Sequence, residues 1–179
     1  MRRFYLKLVC TALAYTGIMM MPIASHAAVT AEEIQVAGRI LALTSNPLSG
    51  DVKVGIAYDP NNALSAQDER TLMAILGRGL VVGNVNLIPV PITIDKITTI
   101  PTDIIFLTAG LGADAVKAGD QAAREKILCI TTDLAATQAG FCALSLKIDT
   151  KVHITVNQAT LEASGVSFSE AFMLMINEI

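Results

Sequence analysis

DIIFLTAGLGADAVKAGDQAAREKILCITTD, residues 103–133, is the stretch on which the fold turns. Asp103 to Thr108 contains Ile-Ile-Phe-Leu with no polar residue between, and Ile127 to Thr132 repeats the pattern with Ile-Leu-Cys-Ile. Short apolar runs that do not alternate belong to strands covered on both faces. Ala113 to Lys126, between them, reads as a helix. A strand, a helix and a second strand of this kind form a right-handed crossover and lie in a parallel sheet.

Working back toward the N-terminus, Val52 to Tyr58 is a strand and Asp59-Pro60-Asn61-Asn62 the loop after it. Ser65 is expected to cap the next helix, with Asp68 at its third position and Leu72, Ile75 and Leu76 on its buried face. Gly77 and Gly79 close it. Val81 to Val90 reads as one strand, whose end Pro89 and Pro91 push toward a sheet edge. Thr30-Ala-Glu-Glu33 is a capping-box pattern, with Val29 and Ile34 placed for the accompanying hydrophobic staple. That first helix should stop before Ser45-Asn46-Pro47, because the residue preceding a proline avoids the α region.

Toward the C-terminus the pattern changes. Leu144, Leu146 and Ile148 alternate with Ser145 and Lys147, and Val152, Ile154 and Val156 alternate with His153 and Thr155. This is the signature of a half-buried antiparallel hairpin. A two-residue loop would pair Leu146 with His153 and mix the faces. A three-residue loop, Asp149-Thr150-Lys151, pairs Ile148 with Val152, Leu146 with Ile154 and Leu144 with Val156, and a slip of one residue would turn every side chain over. Asn157 then caps a short helix ending at Gly165. Ser167 and Glu170 form a further capping pattern, opening a terminal helix with Phe168, Phe172 and Ile176. The expected fold is therefore a single α/β domain over residues 28–179. It has a mostly parallel sheet flanked by helices, a C-terminal antiparallel hairpin and terminal helices. No internal repeat or linker divides it.

Residues 1–27 read differently. Arg2, Arg3 and Lys7 precede an apolar run from Leu8 to Ile23, and Ser25-His26-Ala27 supplies small residues at the −3 and −1 positions of a cleavage site. This is a secretory signal peptide, and the apolar run is shorter than the roughly 20 residues of a membrane span. A periplasmic protein with no membrane span after cleavage is expected. Cleavage would remove three basic residues and no acidic one, taking the net charge from −3 to −6. Such a surface has no basic footprint for nucleic acid.

Cys129 and Cys142 survive cleavage. In an oxidising compartment a lone pair is a disulfide more often than a reactive thiol, the alternative being two buried thiols in apolar strands. One His and two Cys cannot close a tetrahedral zinc site without a carboxylate, so no metal is expected. Gly110-Leu-Gly112-Ala-Asp-Ala115 matches the dinucleotide fingerprint in its G-x-G-x-x-A form, with Asp133 after the next strand. It is mid-chain, few elements follow it, and exported proteins seldom meet nicotinamide cofactors. An ordinary strand-to-helix turn is the better reading, and no cofactor is expected. His153 reads as a surface histidine. No nucleophile–base pair or acid dyad is identifiable, so no catalytic residue is assigned and the chain is read as not an enzyme.

Val152-His-Ile-Thr-Val-Asn157, followed by Ala159, Gly165-Val166 and Ser169, resembles the C-terminal signature of the YfiR-like family of periplasmic proteins. Asp103-Ile-Ile-Phe-Leu107, Ile127 to Asp133 and Gly140-Phe141 are similar to further family segments, so the likeness covers about residues 30–179. The family glutamate of the last strand falls on Thr155. The resemblance implies a small exported α/β protein, often a homodimer, with structural disulfides and no catalysis. It also implies a regulator that binds and restrains an inner-membrane signalling protein with a periplasmic domain, a diguanylate cyclase in the family's best-known member. Thr155, Phe168, Phe172 and Met173 are then the expected partner contacts. Alternatively, strand 52–58 and its loop resemble the opening of periplasmic solute-binding proteins, where Asp59, Asn61 and Asn62 would hold a small ligand in one lobe.

Overall fold

The structure, a computed structural model, describes residues 28–179; the expected signal peptide lies outside the described residues. One eight-stranded sheet runs in the order β2-β3-β1-β4-β5-β6-β7-β8. Its strands are β1 (Gly50–Tyr58), β2 (Leu80–Val82), β3 (Val85–Thr93), β4 (Ile104–Leu107), β5 (Leu128–Thr131), β6 (Leu144–Ile148), β7 (Val152–Val156) and β8 (Asn177–Glu178). The five central strands, β3-β1-β4-β5-β6, are parallel, whereas β2 and β7 run antiparallel to β3 and β6. The helices are α1 (Ala31–Leu41), α2 (Ala63–Leu76), α3 (Val116–Glu125), α4 (Leu134–Gln138), α5 (Gln158–Ala163) and α6 (Glu170–Met173).

The non-alternating strands are buried on both sides, as their composition predicts. Ile104, Phe106, Leu128 and Ile130 face a large aliphatic core with α1, α2 and the C-terminal segment. Ile105, Leu107 and Cys129 face a second, thinner core lined by Ala115, Ala118 and Ala122 of the 112–125 segment. Small residues bring α3 close: a Cβ added at Gly119 would lie 2.7 Å from the carbonyl oxygen of Phe141. Cys129 and Cys142 are fully buried in this thin layer and joined by a disulfide that links β5 to the start of β6.

The hairpin has the expected register, with Leu144 opposite Val156, Leu146 opposite Ile154 and Ile148 opposite Val152. Four other expectations are corrected. The stretch 81–90 is two strands, because Gly83-Asn84 makes a two-residue turn with Gly83 at φ +58°. Pro89 and Pro91 lie in β3 beyond the last rung of β2, on an open edge where a missing N–H costs nothing. Asn62, not Ser65, caps α2, its side chain accepting from Leu64 and Ser65 N–H. The terminal helix is only the four residues of α6, capped by Ser169 rather than Ser167. Phe168 instead bridges Thr44 in an isolated antiparallel pair, and residues 177–178 return to the sheet beside β7.

The α1 capping box does more than close a helix. Glu33 is completely buried. Its carboxylate accepts from Thr30 N–H at 2.9 Å and from Ile148 N–H at 3.0 Å, and pairs with Lys147 at 3.2 Å. One side chain thus fixes the start of α1 to the end of β6. Glu33→Ala should cost about 3 kcal/mol in denaturant unfolding, because it strands a backbone donor and a cation. Thr30→Ala should cost only about 1 kcal/mol, the worth of a cap alone. Cys142→Ser should lower stability by about 3 kcal/mol, or roughly 6–12 °C in melting temperature. That loss is expected in oxidising buffer and should vanish in reducing buffer.

Candidate functional site

In an open parallel sheet, ligands bind outside the carboxyl ends of the strands where the strand order reverses. Here the chain leaves β1 for β3 on one side and returns to β4 on the other, so the reversal lies between β1 and β4. The loop 59–62 and the turn 108–112 meet there, and Asp59, Asn61 and Asn62 do sit at this point.

Asn62 and one oxygen of Asp59 are engaged within the protein itself. Asn62 caps α2 with its carbonyl oxygen and donates its amide to Gly110 C=O at 2.9 Å, tying the two loops together. Asp59 accepts from Asn61 N–H through Oδ1. Behind them runs a buried hydroxyl chain. Asp59 N–H donates to Ser65 Oγ at 2.9 Å, Ser65 Oγ lies 2.7 Å from Thr108 Oγ1, and Thr108 Oγ1 donates to Ala57 C=O at 2.8 Å. Since Thr108 gives its proton to Ala57, Ser65 is the donor to Thr108. Asp68 accepts from Ala109 N–H at 3.1 Å. At the rim, Lys117 pairs with Asp95 at 2.8 Å and Asp114 at 2.9 Å. The hydrogen bond to Asp95, then that to Asp114, pushes its amine above the usual lysine range.

The glycine fingerprint forms the turn between β4 and α3. Gly110 and Gly112 take positive φ, +80° and +54°, and a 3-10 turn over Gly112–Ala115 precedes α3. Asn62 closes the space beside Gly110, where a Cβ would lie 2.8 Å from Asn62 Oδ1, whereas a Cβ at Gly112 would meet nothing within 4 Å. Asp133 caps α4 by accepting from Ala135 N–H. His153 is half-exposed, 3.3 Å from Asp149. Asp149 accepts from Lys151 and Thr150 N–H, which holds its carboxyl below the usual aspartate range. Among the described residues no group of three or more His, Cys, Asp or Glu could hold a metal, and no helix is long and apolar enough to cross a membrane.

A second surface is defined by the C-terminal segment. Phe168 and Phe172 pack ring to ring at 4.8 Å and are 8% and 3% exposed, so their rings are core and not free surface. Thr155 lies mid-ladder between Ser145 and Asn177, and Met173 is half-buried against the main core. The apolar groups left outside are their neighbours. Leu174 is 88% exposed, Met175 74% and Ile179 50%. Met175, Leu43 and Val152 line a shallow hollow of about 250 Å³ with Arg39. Sequence reading selects the aromatics here because they are the large residues. The adjacent Leu174-Met175 carried no signal, because both residue types suit the expected terminal helix.

No family model matches the chain, and neither does any curated protein sequence. Solved structures share the fold. A conserved domain protein from Vibrio cholerae O1 biovar El Tor superposes with a TM-score of 0.58 at 11% identity, over 83% of this chain and 59% of that one. The ABC domain in complex with L-Trp from Streptococcus pneumoniae superposes with a TM-score of 0.57 at 10% identity, over 82% of this chain and 61% of that one. This chain therefore spans about three-fifths of the length of both solved chains.

The stitched loops make a direct test. Gly112→Ala introduces positive-φ strain in open space and should cost about 1 kcal/mol. Gly110→Ala adds the collision with Asn62 and should cost about 2–3 kcal/mol by denaturant unfolding.

Proposed function

We propose that this chain is a non-enzymatic binding protein of the periplasm that holds a membrane signalling partner, of the diguanylate cyclase kind, in one conformation. The contact is the face formed by Leu43, Val152, Leu174 and Met175. The observation that carries the reading is the exposure of adjacent large apolar side chains at 174 and 175 beside an apolar hollow, since contiguous exposed apolar area marks an interaction surface. Arg39 at the edge of that hollow has no ion pair among the described residues, which favours a partner with an acidic rim. The sequence resemblance described above supplies the class of partner. A ligand that binds one state better shifts the equilibrium toward it, so restraint requires no chemistry.

A second reading, a small-ligand binder, is favoured by the fold shared with a structure solved with L-Trp. A solute bound at 100 times its Kd would add about 2.7 kcal/mol of stability and raise the melting temperature by roughly 5–11 °C.

The test uses the exported chain and the purified periplasmic region of an inner-membrane diguanylate cyclase. Wild-type protein should bind that region and slow the full-length cyclase in membranes. The double variant Leu174→Asp, Met175→Asp should lower affinity by about tenfold or more, because it buries charge in an apolar contact. Its melting temperature should stay within about 2 °C, since both side chains are exposed. Unchanged affinity in the double variant, or no slowing by the wild type, would overturn the reading.

A further inference from the structure

We infer that a cavity at the amino ends of β4 and β5 is a binding site for a small zwitterion with an apolar body, such as a free aliphatic amino acid. It goes beyond the partner contact proposed above and gives the small-ligand reading a location, at the opposite end of the sheet from loop 59–62.

The cavity measures about 250 Å³. That lies just below the 300–1,000 Å³ range of drug-sized pockets and suits one small metabolite. Leu41, Ile104 and Leu128, all buried, form an apolar floor, while Thr44, Asn46 and Ser167 add polar groups at its sides. Its two loop walls are sewn together without filling it. Ser45 N–H donates to Ser167 C=O at 2.8 Å, Ser169 N–H to Leu43 C=O at 3.1 Å, and the Ser167 hydroxyl to that of Ser45 at 2.9 Å.

Two charges line it. Lys126, at φ +56°, is the only non-glycine residue with positive φ among those described. It occupies the position after α3 where glycine is usual. A glycine would relieve that strain but would remove the side chain, whose carbons lie 3.5–3.7 Å from a Cβ built on Gly165. The ammonium has no ion pair among the described residues. Backbone strain retained at a cavity mouth points toward function. Asp103 accepts from Lys53 N–H through Oδ2 at 2.7 Å, and its other oxygen has no hydrogen bond among the described residues. One cation and one half-used carboxylate over an apolar floor match a molecule with one carboxylate, one ammonium and an aliphatic chain. Both side chains are exposed at the cavity mouth, and a zwitterion is the simple ligand that can pair with each while its aliphatic chain covers the apolar floor.

The probe is L-leucine, compared with 4-methylpentanoate, which lacks the ammonium, and 3-methylbutylamine, which lacks the carboxylate. Binding is followed by methyl NMR of the full chain. L-leucine should shift the methyl signals of Leu41, Leu48, Ile104 and Leu128 and bind more tightly than either analogue. Lys126→Gly should weaken L-leucine by about tenfold or more while the melting temperature holds or rises, which separates lost binding from lost folding. Asp103→Asn, which can still accept from Lys53, should weaken L-leucine but not 4-methylpentanoate. If L-leucine perturbs no cavity methyl, or if both variants bind it as the wild type does, the assignment is wrong. A solute that stabilises wild type and both variants equally would sustain the small-ligand reading and remove this site from it.

Discussion

The structure depends on one constraint: β4 and β5 have no polar face, so both sides of the sheet must be covered at its centre. The two sides meet that demand unequally. On one, branched and aromatic side chains from α1, α2 and the C-terminal segment build a thick core. On the other, alanines let α3 lie close against the sheet. A layer built from alanine buries less apolar area per residue and returns less hydrophobic free energy. The disulfide sits in this thinner layer and adds a covalent tie to what packing supplies.

What was legible in the sequence follows from how local the signal is. Strand identity and hairpin register were readable, because period-2 parity over Leu144–Val156 admits one odd-length loop. The Thr30–Glu33 box was readable because its reciprocal bonds lie three residues apart. The split of 81–90 was obscured by the valines on either side of Gly83, which continue a strand pattern through a two-residue turn. Ser65 looked like a cap by residue type. Asn62 took that position, and tertiary structure recruited Ser65 into a hydroxyl chain ending 43 residues away at Thr108. The short α6 was missed because the chain rejoins the sheet through Val156 and Ile179, a long-range pairing without any local signature.

The same logic bears on the loops between β1 and β4. Turn residues such as Asp59 and Asn62 offer side-chain oxygens that either receive a ligand or close the backbone, and sequence cannot tell which. Here every hydroxyl in the Ser65–Thr108 chain is matched, and Asn62 bonds at both ends of its amide. A ligand entering at this point would have to replace those bonds one for one, with little net gain. Recognition that leaves these bonds intact is open at the amino-end cavity and the C-terminal face.

For the C-terminal face, the fixed backbone matters as much as the exposed side chains. Leu174 and Met175 lie between α6, held by its Ser169 cap, and β8, whose flanking Ile179 donates its N–H to Val156 C=O at 2.9 Å and accepts from Gln158 N–H at 3.1 Å. Apolar residues on a free tail would lose backbone freedom on docking, at about 1–2 kcal/mol per residue. Residues displayed from a segment pinned at both ends have already lost it during folding. Their burial can then contribute to association almost undiminished, which is the preorganisation that lets a small surface bind firmly. The terminal return to the sheet thus does what an uninterrupted helix over 168–176 could not: it turns two large aliphatic side chains outward while keeping both phenylalanines in the core.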